Sequence, residues 1–151
     1  MSTKNSGITF LLADDDADDK TLFCEALSEI NPTIVCHTAS DGKEALALLS
    51  EKQIVKPNII FLDINMPVMD GWQCLGKLKE HTDHRDIPVI MYSTSSYQRD
   101  IELALEGGAF CFFTKPSDYR ELRTILRLIA TTPVDSLSNT MKDFKNLTFT
   151  T

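Results

Sequence analysis

The sequence lacks several features that would assign it to common protein classes. Its 151 residues contain no apolar run of about 18 residues, so we expect no transmembrane helix. Residues 1–7 lack the apolar segment of a signal peptide, which indicates a cytoplasmic protein. The four cysteines are widely spaced and form no CxxC pair, so we expect reduced thiols and neither disulfides nor a zinc site.

The chain also has fewer basic than acidic residues. Fifteen Lys and Arg stand against 22 Asp and Glu, which gives a net charge of −7. This balance argues against nonspecific nucleic-acid binding, which requires a basic surface to neutralise phosphates. An acidic surface suits basic protein partners or metal ions instead. The length and the 42% hydrophobic content are typical of one globular domain with a core.

Five apolar runs alternate with five segments whose apolar residues recur at helical spacing. The predicted strands cover residues 8–13, 33–38, 59–62, 87–92 and 109–113. Strands that alternate with helices in this way indicate right-handed βαβ crossovers. We therefore predict an α/β fold, a doubly wound parallel sheet with helices on both faces.

Polar residues come at the ends of four of the five strands. They are Asp14 and Asp15 after the first strand, Asp63 after the third, Ser93 and Thr94 after the fourth, and Thr114 and Lys115 after the fifth. Because parallel strands share one carboxyl edge, we expect these groups to converge there. Two carboxylates at ~4 Å repel each other by about 4 kcal/mol at an effective dielectric of 20. A cation would relieve this repulsion, and Mg²⁺ prefers oxygen ligands.

Four groups are candidate Mg²⁺ ligands: the carboxylates of Asp14, Asp15 and Asp63 and the backbone carbonyl of Asn65. A metal beside a carboxylate, a lysine and a hydroxyl indicates phosphoryl chemistry. Asp63 could act as a nucleophile and form an acyl phosphate. The lysine and the metal would neutralise charge on the transferred group.

Four motifs carry a resemblance to a known family. They are LLADDD (residues 11–16), FLDINMPVMDG (61–71), PVIMYST (88–94) and FTKP (113–116). With these four motifs in this order, the chain resembles a response-regulator receiver domain of two-component signalling over residues 8–131. The resemblance implies a flavodoxin-like fold, with a five-stranded parallel sheet in the order 2-1-3-4-5. Residues 1–7 would then be an N-terminal extension and residues 132–151 a C-terminal tail.

The resemblance also implies a phosphorylation site. Asp63 would accept a phosphoryl group from a sensor histidine kinase or a histidine phosphotransfer protein in a Mg²⁺-dependent reaction. Asp15, Asp63 and the carbonyl of Asn65 would bind Mg²⁺ directly, and Asp14 would act mainly through water. A domain of this kind promotes only its own phosphorylation and slow dephosphorylation, so we expect no separate enzymatic activity.

Three further residues take switch roles by the same resemblance. Ser93 stands at the position of the switch hydroxyl, with Thr94 beside it where small residues are usual. Lys115 would pair with the phosphoryl group or with Asp63, and its bond to Pro116 would be cis. Phe112 stands at the position of the switch aromatic, and phosphorylation would let it turn inward.

Two other functions stay open. A phosphatase with Asp63 as nucleophile usually needs a second acid two residues later, where Asn65 stands. A flavodoxin-like ligand-binding module needs a phosphate-cradling loop after the first strand, whereas this chain has three acidic residues at 14–16. We favour the receiver function over both.

The tail carries a helical pattern of apolar residues, namely Val134, Leu137, Met141, Phe144 and Leu147. A frayed tail, packing on its own domain and packing on a second subunit of a homodimer remain alternatives. About 20 residues are too few for a DNA-binding output domain, so we expect a single-domain regulator that contacts an unknown protein target. Residues 81–86 and 93–96 resemble small regulators paired with phytochrome-like or hybrid kinases.

Two local features have simpler explanations than chemistry. Asp16 is predicted to cap the first helix and not to bind metal. His81 and His84 are spaced as metal ligands on a helix would be, but they lie in a polar segment without further His or Cys. We interpret them as solvated loop residues.

Overall fold

The computed structural model of the chain describes residues 7–132. Within them, five strands and five helices alternate as expected. The strands are β1 Thr9–Ala13, β2 Val35–Ala39, β3 Ile59–Leu62, β4 Val89–Ser93 and β5 Cys111–Thr114. The helices are α1 Ala17–Ile30, α2 Gly42–Ser50, α3 Gly71–Glu80, α4 Gln98–Glu106 and α5 Tyr119–Thr131. The amphipathic helix expected in the tail lies outside the described residues, and the domain limits stay a prediction.

All five strands are parallel and lie in the order β2-β1-β3-β4-β5, which confirms the flavodoxin-like fold. β1 and β3 lie in the interior of the sheet, and every residue of both strands is buried. A strand covered on both faces favours apolar residues at nearly every position, and Thr9 is the one polar residue in these two strands. Neither strand shows the alternation of a half-exposed one. β2 and β5 form the two edges.

Each face of the sheet carries its own apolar cluster. The cluster beneath α1 and α5 contains the rings of Phe23, Phe61 and Tyr92, with Phe23 4.9 Å from Phe61 and 5.7 Å from Tyr92 between centroids. The cluster beneath α2, α3 and α4 contains Leu75 and Phe112. Because both faces are covered, polar residues of the central strands can reach solvent only at the strand ends.

Aspartates cap four of the five helices. The side chain of each accepts a hydrogen bond from the backbone N–H three residues later, which satisfies a donor that the helix itself leaves unpaired. The pairs are Asp16 with Asp19, Asp41 with Glu44, Asp70 with Gln73, and Asp118 with Glu121. The prediction of Asp16 as a cap is therefore confirmed.

Four of the five strands differ from the sequence prediction by one or two residues at one or both ends, and only β3 has the predicted bounds. β2 begins at Val35 because that residue pairs with Thr9, the first residue of β1. β4 and β5 end later than expected because Ser93 and Thr114 pair with each other. Pairing partners, and not local composition, set these limits.

No helix among residues 7–132 is long and apolar enough to cross a membrane.

One loop expectation was wrong. His84 is only 8% exposed, and its ring stacks on that of His81 with the centroids 4.1 Å apart. The backbone folds back on itself here, since the N–H of His84 donates to the carbonyl of His81 and that of Ile87 donates to His84. This turn buries a side chain that the polar composition of the segment had placed in solvent.

Candidate functional site

The parallel ladder carries the predicted polar residues to one edge of the sheet. The N–H of Asp63 donates to the carbonyl of Ala13 at 2.9 Å, directly after β3. The N–H of Lys115 donates to the carbonyl of Ser93 at 2.7 Å, directly after β5. These backbone bonds continue the sheet past its formal ends. The backbones of Asp63 and Lys115 are therefore held in place like those of residues within the strands.

Lys115 joins three carboxylates at this edge. Its Nζ lies 2.7 Å from Asp14, 2.8 Å from Asp19 and 3.2 Å from Asp63, measured to Oδ2 in each case. The Lys115 side chain is only 9% exposed, and Asp14 is fully buried. The ammonium also lies 5.6 Å from the centroid of the Tyr92 ring, within the range of a cation–π contact. A buried cation with several acceptors is held in a narrow range of positions.

Asp19 is the member of this cluster that the sequence did not reveal. Its place in the first turn of α1 has a sufficient explanation in the helix dipole. The position of Asp19 in the sequence could have indicated the contact. Asp19 follows Asp15 by four residues, about one helical turn, and α1 begins close to the end of β1. A helix that starts at this edge turns one side of its first turn towards Lys115.

The cluster shifts the protonation equilibria of its members. Burial raises the pKa of Asp14 to about 6, although hydrogen bonds from Lys115 and from the N–H of Asp16 oppose that rise. Burial lowers the pKa of Lys115, but the hydrogen bonds to Asp14 and Asp19 and the charge of Asp63 outweigh it and raise the pKa above its ordinary value. Lys115 is therefore a permanent cation at this site.

The predicted metal ligands come together in part. One oxygen each from Asp14, Asp15 and Asp63 lies within 4.8 Å of the others. Asp14 and Asp63 are buried and Asp15 is exposed, so the cluster opens to solvent on one side. Carboxylate oxygens of this kind suit a hard divalent cation that keeps several waters. Asn65 lies exposed in the loop two residues after Asp63, and its carbonyl as a ligand stays a prediction.

The predicted switch residues lie on neighbouring strands. Ser93 is fully buried at the end of β4, and its Oγ accepts a bond from the N–H of Ser95 at 3.3 Å. Thr94 is exposed. Phe112 is 1% exposed within the apolar cluster beneath α2, α3 and α4, so its ring already points inward.

The bond between Lys115 and Pro116 is trans, contrary to expectation, and trans is the lower-energy form by about 0.5–1 kcal/mol.

The backbone of Asp63 is held by the start of α3. The N–H of Gly71 donates to the carbonyl of Ile64 at 2.8 Å. A Cβ at Gly71 would lie 2.2 Å from the carbonyl oxygen of Asp63, closer than any real contact. Glycine is therefore required here by the close approach of two backbones.

Relatives of this chain share its fold and much of its length. Rcp1, a response regulator of Synechocystis sp., is 31% identical over 118 residues, which are 74% of this chain and 79% of that protein. The crystal structure of the phosphorylated cyanobacterial phytochrome response regulator RcpA superposes with a TM-score of 0.75 at 30% identity, covering 81% of this chain and 90% of that one. The Mn²⁺-bound form of response regulator Rcp1 gives a TM-score of 0.71 at 27% identity, covering 82% and 92%.

Other relatives are considerably longer. The protein-glutamate methylesterase/protein-glutamine glutaminase of Methanococcoides burtonii is 35% identical over 120 residues, which are 78% of this chain. This chain spans only 32% of that protein, and 54% and 30% of two further curated relatives. The family model of the response regulator receiver domain matches residues 10–127, which include all of β1 except Thr9, the other four strands and most of α5. The chain therefore belongs to the response regulator receiver domain family.

Proposed function

We propose that this chain is a phosphorylation-dependent response regulator in which Asp63 accepts a phosphoryl group from a histidine kinase or a histidine phosphotransfer protein. The observation that carries the proposal is the contact between Asp63 and Lys115 at 3.2 Å, within a cluster that also holds Asp14 and Asp15. A nucleophile, a cation and a cluster of acidic oxygens at one sheet edge are the components that phosphoryl transfer needs.

Of the two carboxylates that directly follow the interior strands and contact Lys115, Asp63 is better placed than Asp14 to act as the nucleophile. Asp14 is fully buried, whereas Asp63 retains some exposure at the end of its strand. Its Oδ1 accepts a bond from the N–H of Ile64 at 2.7 Å, which fixes the carboxylate relative to the backbone. Attack by a carboxylate oxygen on a phosphohistidine would form an O–P bond and break the N–P bond, leaving an acyl phosphate. Lys115 would neutralise the added charge.

Mg²⁺ is the cofactor that this donor set fits. The carboxylates of Asp14, Asp15 and Asp63 and the carbonyl of Asn65 would hold the ion. When bound, it would supply positive charge to the oxygens of the phosphoryl group. That the relative Rcp1 has a Mn²⁺-bound form supports binding of a divalent cation by this chain, for which the cluster of Asp14, Asp15 and Asp63 is the candidate site.

The proposed output is a change in protein contacts. Phosphorylation of Asp63 would draw Ser93 towards the phosphoryl oxygens and rearrange the face formed by α4, β5 and α5. Phe112 already lies in the inward position, so phosphorylation would stabilise that position. A downstream protein, a second copy of the chain, or both would read the altered face. This role needs no enzymatic activity beyond the domain's own phosphorylation cycle.

The deciding experiment is transfer of labelled phosphate from acetyl phosphate or a histidine kinase. Wild-type protein should gain label that is lost in the manner of an acyl phosphate, and Asp63→Asn should gain none. Asp18→Asn is the matched control, because Asp18 is an exposed aspartate outside the cluster. Equal labelling of wild type and Asp63→Asn would reject Asp63 as the acceptor.

A further inference from the structure

Two of the four thiols lie side by side away from the phosphoryl site. Cys24 is on α1, Cys36 is on β2, and their sulfurs are 3.5 Å apart. Both side chains are half-buried, so small reagents can approach them. Cys74 and Cys111, by contrast, are buried. The contact was not foreseen, since the two residues are separated by 12 positions and form no recognisable motif.

The surroundings make the two sulfurs chemically unequal. The hydrogen bond between the two thiols lowers the pKa of Cys24 to about 7, and the ammonium of Lys20 adds to this effect against the opposing effect of burial. The same contact, together with burial, raises the pKa of Cys36. Lys20 lies one turn before Cys24 on α1 and donates to Ser40 Oγ at 2.8 Å. The charge of Lys20 favours the thiolate at Cys24, so Cys24 is the sulfur of the pair that loses its proton more readily.

We propose that Cys24 and Cys36 form a hydroperoxide-reactive dithiol that closes to an intramolecular disulfide between α1 and β2. Cys24 is the residue attacked first, and Cys36 is the residue that resolves the product. A partly exposed thiolate beside a cation and next to a second thiol is the arrangement that favours reversible oxidation over irreversible damage.

The reaction balances with one hydroperoxide. The Cys24 thiolate attacks one peroxide oxygen, the O–O bond breaks, and water or an alcohol leaves after taking up a proton. The Cys36 sulfur then attacks the sulfenic acid of Cys24, the S–O bond breaks, and the hydroxide leaves as water with the proton from Cys36. Two electrons pass from the two sulfurs to the peroxide.

The geometry permits this closure with a small movement. The sulfurs must approach from 3.5 Å to about 2.05 Å. Among residues 7–132, β2 is an edge strand whose ladder partner is β1, so it is held by hydrogen bonds on one side. The new bond would close the segment from Cys24 to Cys36, restrict the unfolded chain and raise the melting temperature of the oxidised form.

The test is treatment of the full chain with hydrogen peroxide, followed by intact mass, thiol counting and peptide mapping. We expect a loss of about 2 Da, a fall from four thiols to two, a peptide pair linking Cys24 to Cys36, and reversal by a thiol reductant. Cys36→Ser should accumulate a sulfenic acid at Cys24 that dimedone traps. Cys24→Ser should lose thiols at least about tenfold more slowly than wild type.

Cys111→Ala is the matched control and should still form the bond, because Cys111 is buried on β5. A disulfide that links any other pair would overturn the proposal. So would stepwise oxygen addition to the wild type without loss of hydrogen, or Cys24→Ser oxidising as fast as wild type. Peptide mapping of the wild type decides the matter even if a serine variant fails to fold.

Discussion

The ammonium of Lys115 donates to the carboxylate of Asp19 at 2.8 Å, across 96 positions of sequence. This contact ties the loop after β5 to the first turn of α1, while the same ammonium also reaches the phosphoacceptor candidate Asp63. Asp19 therefore shares the ammonium of Lys115 with Asp63. The Asp19 side chain is 36% exposed, more than those of Asp14 and Asp63, so water screens its charge the most.

Removal of the Asp19 charge should loosen Lys115. In Asp19→Asn we expect a lower pKa for Lys115 than in wild type, because the hydrogen bond to Asp19 helps to raise that pKa. The free energy of unfolding should fall by only about 0.5 kcal/mol, since the pair is partly exposed. Side-chain ¹⁵N NMR titration of Lys115 and chemical denaturation measure the two effects. Asp18→Asn, in the same helical turn, removes a similar helix-dipole contribution but should leave the Lys115 titration unchanged. An unchanged Lys115 titration in Asp19→Asn would contradict the structural contact.

Magnesium should stabilise the protein through the acidic cluster. At a Mg²⁺ concentration about 100 times the dissociation constant, the gain is about 2.7 kcal/mol, or about 5–10 °C in melting temperature. Asp15→Asn should reduce this shift markedly with little change in the metal-free protein, because Asp15 is exposed. Thermal scans at constant ionic strength provide the measurement. Equal shifts in wild type, Asp15→Asn and the Asp18→Asn control would place the ion elsewhere.

Two glycines of α3 should respond to alanine in opposite directions. Gly71→Ala forces a Cβ to 2.2 Å from the carbonyl oxygen of Asp63, so we expect a loss of more than about 2 kcal/mol of stability and slower phosphorylation. Gly76→Ala meets no atom within 4 Å and should stabilise the helix by about 0.5–1 kcal/mol. Denaturation and phosphate incorporation on the two variants test this contrast. Similar effects of the two substitutions would show that Asp63 and Gly71 are not in close backbone contact.

The buried His84 should make stability depend on pH. Burial, the neighbouring His81 and Lys56 lower the pKa of His84 below its ordinary 6.5, against a weaker opposing effect of Asp83. The unfolded chain then binds more protons than the folded one, so His84 contributes stability that is present above pH 6.5 and lost as the pH falls through its folded pKa. His84→Phe, which keeps an aromatic ring for stacking on His81, should weaken this dependence. An identical profile for the variant between pH 5 and 7 would contradict the assignment, as measured by urea unfolding at each pH.

Much of the site was foreseeable because a parallel sheet converts strand order into spatial proximity. Asp14, Asp63, Ser93 and Lys115 each end a strand or follow it directly, and the ladder brings all four to one edge. That inference needs only the positions of the apolar runs. It needs no knowledge of how helices pack, whereas the side-chain contacts that helices make depend on that packing.

By itself, the sequence determined the α/β class, the strand order through its family resemblance, and the carboxylates and lysine of the sheet edge. Only the tertiary structure decided that Asp19 joins Lys115, that His84 is buried, that Gly71 touches the backbone of Asp63 and that Cys24 meets Cys36. These contacts depend on the rotation and distance of helices and loops relative to the sheet. The spacing of apolar residues specifies which face of a helix is buried. Which polar side chains then meet depends on how the helices and loops pack against the sheet.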